Sequence, residues 1–95
     1  MRIVWDIIAK EELKKIYEYI KLDSPQNATM VRDGIVKATA SLANNFVHRP
    51  DNYKRNNDGT YRAFEIYSYR ISYRITLDEI KILRLRHVRM RPKMF

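Results

Sequence analysis

Basic side chains crowd the last third of this 95-residue chain, and their types suit phosphate chemistry. Guanidinium groups bind phosphate oxygens through paired hydrogen bonds, and they can stabilise the negative charge that develops while RNA is cleaved. Histidine is the side chain that most often moves protons near neutral pH, which makes His87 the candidate acid or base. The candidates are Arg62, Arg70, Arg74, Arg84, Arg86, His87, Arg89 and Arg91.

These residues divide into two roles. If the chain is a nuclease, the expected catalytic residues are Arg70, His87 and Arg89. The other arginines are expected to be binding residues. A structural role competes with both, because surface and edge strands commonly carry Lys and Arg that resist aggregation. For His87 alone, a hydrogen-bonded structural role is the interpretation we favour, since spacing without geometry is weak support for catalysis.

Several other kinds of site are not expected. With two glycines, the chain cannot build a glycine-rich phosphate loop, and with no cysteine and two histidines, it offers no zinc site. No close pair of carboxylates stands out among the strands, so glycosidase-like chemistry has no support. We therefore expect neither a metal nor a cofactor.

The net charge of +8 is unevenly distributed. Residues 60–95 carry nine Lys and Arg against three Asp and Glu, which indicates a polyanion or an acidic protein as the partner. The lack of cysteine favours a reducing compartment, and no apolar run approaches the ~20 residues that span a bilayer. We expect a cytoplasmic protein with a single domain over residues 1–95.

The N-terminal half has the pattern of a strand and two helices. Residues 1–5 favour a short edge strand, and Asp6 can cap the helix that follows. Ser24 and Pro25 are typical of a second helix start, at about residues 25–44. Gly34 inside that helix costs ~1 kcal/mol relative to alanine. The apolar stripes are Ala9, Leu13, Ile16, Tyr17 and Ile20 in the first helix, and Ala28, Val31, Ile35, Ala38 and Leu42 in the second.

The C-terminal half changes to a period of two. After turn-rich residues 45–59, a strand is predicted at 61–67, and the next alternates apolar and polar side chains. Its apolar residues are Tyr69, Ile71, Tyr73 and Ile75, and its polar residues are Arg70, Ser72, Arg74 and Thr76. A last strand at 80–88 is apolar in both registers near its start, as in the middle of a sheet. The pattern predicts an α+β fold, β-α-α-β-β-β, with a helical hairpin packed on a small antiparallel sheet.

Over nearly its full length the sequence resembles the RelE/ParE superfamily of bacterial toxins. Its first helix has the family pattern in Ala9, Leu13, Ile16, Tyr19 and Ile20, and its second in Ala28, Val31 and Ile35, ending near Leu42 and a loop Pro50. The sheet pattern is Tyr69, Arg70, Ile71, Tyr73 and Ile75, followed by His87 and Arg89. The resemblance implies a growth-arresting toxin of a type II toxin–antitoxin module, neutralised by a cognate antitoxin with an acidic segment.

The two branches of the superfamily imply different targets. RelE-like members cleave mRNA on the ribosome. Arg70 matches the arginine of their sheet pattern, and Arg89 lies near the position of their C-terminal arginine. However, their lysine-rich strand is replaced here by Ala63, Phe64 and Glu65. A catalytic tyrosine is expected where this chain has Phe95, and phenylalanine has no proton to transfer. ParE-like members poison DNA gyrase and need no nuclease site.

The ending from residue 87 to 90 favours the ParE-like type. A third alternative is a non-toxic RNA-binding domain of the same fold, because fold does not fix function.

Overall fold

The predicted order β-α-α-β-β-β is confirmed in a computed structural model, which describes residues 1–44 and 54–89. The elements are β1 (Arg2–Trp5), α1 (Ile7–Lys21), α2 (Pro25–Ser41), β2 (Tyr61–Ile66), β3 (Tyr69–Ile75) and β4 (Glu79–His87). The strands form one sheet in the order β1-β4-β3-β2, so β1 lies at an edge and β4 inside, as predicted.

The sheet is mixed rather than antiparallel throughout. β2, β3 and β4 pair antiparallel, whereas β1 pairs parallel with β4 from Arg2 opposite Glu79 to Trp5 opposite Ile82. Parallel neighbours need a long crossover connection, and the helical hairpin with the two following strands supplies it. The direction of β1 relative to β4 therefore depends on the whole chain between them. Local periodicity in the sequence does not predict this direction.

Both helix starts are capped as predicted. The backbone N–H of Ile8 donates to Asp6 Oδ2 at 3.0 Å, and the N–H of Asn27 donates to Ser24 Oγ at 3.2 Å. The second helix ends at Ser41, earlier than the predicted residue 44. Its chain continues in a tighter turn, because the N–H groups of residues 42–44 each bond a carbonyl three residues back.

The core lies between the helical hairpin and one face of the sheet. Most residues of the predicted apolar stripes lie in it, whereas Tyr17 packs against Arg32 instead. Tyr73 is its largest fully buried side chain. Burial raises the pKa of Tyr73 to about 12. The sequence pattern missed Thr39, which is also buried and satisfies its hydroxyl by donating to the Val36 carbonyl at 2.8 Å. The fully buried hydrophobic residues from the two layers include Ala9, Ala28, Ile35, Ile71, Tyr73, Ile80 and Ile82.

A β-bulge explains why β4 is apolar in both registers. Tyr73 of β3 lies opposite Ile82, but its neighbour Ser72 lies opposite Arg84, so Leu83 is an extra residue on β4. Ile82 before the bulge and Leu85 after it are consequently both buried, although they are three positions apart. The bulge also turns His87 toward the helices.

The β2–β3 hairpin closes through two residues with left-handed backbone. Tyr67 has φ +52° and Ser68 has φ +66°, the signature of a type I′ turn, which usually contains Asn or Gly. The Tyr67 ring lies against the backbone of Gly34 in α2. A Cβ at position 34 would overlap Tyr67 Cε2, so glycine leaves the space that the ring occupies.

Replacement of Gly34 should test this contact. We expect Gly34→Ala to lower the free energy of unfolding by about 1–3 kcal/mol through overpacking, although alanine favours a helix by ~1 kcal/mol. In a Tyr67→Asn background the ring is absent and asparagine tolerates the turn, so the same substitution should stabilise the protein. Urea unfolding of the four proteins measures the difference, and an equal effect of Gly34→Ala in both backgrounds would refute the contact.

Candidate functional site

The strand register separates the predicted site residues between the two faces of the sheet. Arg70 lies opposite Arg86 and Arg74 opposite Lys81, on the face away from the helices. His87 lies opposite Tyr69, and Arg62 lies opposite Tyr73, on the face that packs against them. Since alternate residues of a strand project to opposite sides, Arg70 and His87 point away from each other.

Arg74 is held by the segment that leads into β2. Its Nε donates to Thr60 Oγ1 at 3.2 Å, a terminal nitrogen lies 3.8 Å from Asp58 Oδ2, and the guanidinium lies 4.7 Å from the centre of the Tyr61 ring. Hydrogen bonds from the side chain and backbone of Thr60 lower the pKa of Asp58, and Arg74 lowers it further. These contacts give Arg74 a structural role.

Arg84 joins β4 to α1 through Glu12. Its Nε lies 3.2 Å from Glu12 Oε1, and the backbone N–H of Leu85 donates to the same oxygen at 2.9 Å. The two charged side chains are partly buried, at 31% and 21% exposure. Glu12 therefore fixes the first half of α1 beside the end of β4.

His87 is engaged by its neighbours. Its ring packs edge-on against Tyr69, with centroids 5.3 Å apart and planes at 85°. Nδ1 accepts a hydrogen bond from the backbone N–H of Arg89 at 3.1 Å, which sets the ring orientation. These contacts match the hydrogen-bonded structural role that we favour for this histidine.

A groove of about 550 Å³ opens between α1 and the end of β4. Ile16, Leu85 and Tyr69 supply apolar surface, and Tyr19 extends into solvent at 75% exposure. Burial raises the pKa of Tyr69, and Tyr19 beside it adds to that shift. The lining residues are Glu12, Lys15, Ile16, Tyr19, Tyr69, Leu85, Arg86, His87 and Arg89. This size and composition are typical of a binding site.

The edge of the groove is basic. Lys15, Arg86 and Arg89 line it. Arg86 projects to the far face with Arg70, but it reaches the groove at the edge of β4, which β1 covers only as far as Ile82. None of the three cations forms an ion pair with another residue in ranges 1–44 and 54–89. Among the described residues, Glu12 is the one acidic residue of the lining, and Arg84 neutralises it. The groove thus combines apolar walls with uncompensated positive charge.

Three of the predicted site residues, Arg86, His87 and Arg89, line this groove. The contribution of α1 was not predicted, although Tyr19, an aromatic residue beside the apolar stripe, was a usable signal. The predicted residues Arg91, Pro50 and Phe95 lie outside the described residues. Within the described part of the chain, no cluster of metal-ligating side chains occurs, and no helix is long and apolar enough to cross a membrane.

Comparison with known proteins identifies a family and solved structures of similar fold. Residues 3–92 match the family described as the ParE toxin of the type II toxin–antitoxin system, parDE. The fold is similar to a solved structure titled "Chromosomal ParDE TA system from P. aeruginosa", with a TM-score of 0.75 and 25% identity over 92% of this chain and 95% of the other. No curated protein matches the sequence significantly.

Proposed function

The chain belongs to the ParE toxin family of type II toxin–antitoxin systems, and from this membership we propose that it arrests growth by binding DNA gyrase, without cleaving RNA. It is the toxin of such a module and has an antitoxin partner. The target is the proposed part. Gyrase follows from the resemblance to ParE-like toxins described above.

The separation of Arg70 from His87 carries the proposal. A nuclease of this kind needs its proton-transferring group and its charge-stabilising arginine around one scissile phosphate, within hydrogen-bond reach of the reacting atoms. Here the two residues project from opposite faces of the sheet, and His87 Nδ1 already accepts the Arg89 N–H. This arrangement supports action by binding more than action by cleavage.

The remaining features fit a cytoplasmic toxin with one domain over residues 1–95. The uncompensated cations beside the groove favour an antitoxin with an acidic segment, since complementary charge speeds association and fixes register. The absence of cysteine favours a reducing compartment such as the cytoplasm, and both gyrase and ribosomes lie there.

Two assays on the purified toxin test the target. In a supercoiling assay, we expect the toxin to inhibit gyrase as its concentration approaches that of the enzyme, because a poison that acts by binding needs one bound molecule for each target. In a parallel assay, mRNA on programmed ribosomes should remain intact. Cleaved mRNA with unimpaired supercoiling would reverse the assignment in favour of the RelE-like activity.

A further inference from the structure

The face of the sheet that points away from the helices carries two cross-strand pairs of cations. Residues directly opposite each other on antiparallel strands share a face, so Arg70 stands beside Arg86 and Arg74 beside Lys81. Lys81 and Arg86 are five positions apart, and in a regular strand they would lie on opposite faces. The bulge at Leu83 brings them to the same face. We call Arg70, Arg74, Lys81 and Arg86 the outer cation cluster.

The outer cation cluster weakens the sheet that carries it and remains accessible from outside. Like charges directly opposite on neighbouring strands destabilise the pairing. Asp58 lies 3.8 Å from Arg74 and Asp6 lies 3.6 Å from Lys81, but these two cations are still 42% and 43% exposed. Arg86 forms no ion pair within residues 1–44 and 54–89. An anion that approaches this face can therefore reach the cluster.

Protection against aggregation does not explain this cluster. Lys and Arg that resist aggregation are needed on the edge strands of a sheet, where unpaired backbone groups could bind another chain. The strand order β1-β4-β3-β2 places both β3 and β4 inside the sheet. Cations gathered on one face of two inner strands are instead typical of a surface that binds a polyanion.

The other residues on this face indicate which polyanion fits. Ser72, which is small, lies between Arg70 and Arg74 on β3, and neither β3 nor β4 has an aromatic residue at an outward-facing position. Tyr61 of the neighbouring β2 is engaged by Arg74 and Lys54, at 4.7 and 4.5 Å from its ring centre. Single-stranded RNA is bound mainly by stacking of its bases on aromatic side chains, and protein partners also favour aromatic anchors. The backbone of a nucleic-acid duplex needs only cations and hydrogen-bond donors.

We propose that this face of the toxin binds the backbone of double-stranded DNA, with the outer cation cluster on the phosphates. The choice of DNA rests on the proposed gyrase target, because the substrate of gyrase is a DNA duplex. Arg70 and Arg74 are four positions apart, about 13 Å along an extended strand, so the two cation pairs contact separate phosphates. The contact has no direct preference for a base sequence, because phosphates are the same at every base pair.

The salt dependence of binding to a short, fluorescently labelled DNA duplex measures the number of phosphate contacts without gyrase. Contact with phosphates releases counterions, so the logarithm of the association constant should fall linearly with the logarithm of the salt concentration. At about −0.9 for each contact, the four cations predict a slope of roughly −3 to −4. We expect Arg86→Gln to reduce the slope by about one. No binding at low salt, or the same slope in the variant, would overturn the proposal.

Charge reversal with a matched control locates the site. Arg86→Glu in the cluster and Lys37→Glu on the exposed surface of α2 change the net charge equally. We expect Arg86→Glu to weaken duplex binding about tenfold or more, because it removes one phosphate contact and repels the neighbouring phosphates, whereas Lys37→Glu should bind nearly as wild type. A glutamate at position 86 stands opposite Arg70, so the variant should unfold at the same or a higher urea concentration. Equal loss of binding in the two variants would indicate general attraction and overturn the site.

Competition identifies the polyanion. Unlabelled DNA duplex should displace the labelled duplex at a lower concentration than single-stranded RNA of the same length or an acidic polypeptide. Preference for either of these competitors would overturn the assignment to DNA. Because these assays contain no gyrase, their outcome is separate from that of the supercoiling assay. A toxin that binds the duplex but leaves supercoiling intact would contradict the gyrase target alone, and one that inhibits gyrase but binds no duplex would contradict the DNA site alone.

Discussion

Bacteria that express this chain without its antitoxin should stop dividing, and co-expression of the antitoxin should restore growth. The expected effect is loss of colony formation, because a ParE-family toxin with no bound antitoxin leaves its target-binding surface accessible. Growth curves and colony counts after induction measure it. The antitoxin should act by mass action, so the restored growth should depend on its level relative to the toxin.

A folding-defective variant gives the control for this experiment. Ile71 is fully buried between the sheet and the helices, and Ile71→Asp places an unpaired charge in that core. The variant should lose the fold and the toxicity together. Normal growth of cells that contain soluble, folded wild-type chain would contradict the assignment of toxin activity to this protein.

The parts of the fold that could be predicted are those set by neighbouring residues. Asp6 and Ser24 cap the helices because their side chains accept nearby N–H groups, and such signals are visible in a few residues. The alternation through Ile71 and Tyr73 defined a buried strand face because side chains repeat with a period of two. Caps and periods are local, so one sequence is sufficient to reveal them.

The features that escaped prediction depend on contacts between distant residues. The bulge at Leu83 changes which face His87 occupies, and it is defined only by the pairing of β4 with β3. The contact of Glu12 with Leu85 joins residues 73 positions apart. The type I′ turn at Tyr67 and Ser68 lacks the usual Asn or Gly, and its Tyr67 ring occupies space left by Gly34 on another element.

The candidate site shows the same division. Composition indicated a basic surface, and Arg86 and Arg89 do line the groove. The set of cations that share that surface could be identified only from the strand register. The register places Arg70 on the far side of the sheet, and Arg74 lies against Asp58. Lys15 reaches the groove because α1 packs on the core beside β4, where Glu12 contacts Arg84 and Leu85.

Substitution of the predicted catalytic residues separates the two mechanisms by orders of magnitude. In a nuclease, loss of one preorganised charge-stabilising donor costs about 10²–10³ in rate, and loss of a general acid or base about 10²–10⁴. Arg70→Ala and His87→Ala would then each abolish detectable mRNA cleavage and with it the growth arrest. A toxin that acts by binding gyrase requires no proton transfer, so we expect both folded variants to arrest growth.

The most direct test of action by binding is growth arrest by folded His87→Ala, measured beside mRNA integrity in cells that express the wild-type chain. Circular dichroism and cooperative urea unfolding establish that the variant is folded. We predict that His87→Ala arrests growth and that mRNA in the wild-type culture stays uncut while DNA supercoiling falls. Cleavage of mRNA by the wild-type chain, lost together with growth arrest in His87→Ala, would contradict the account.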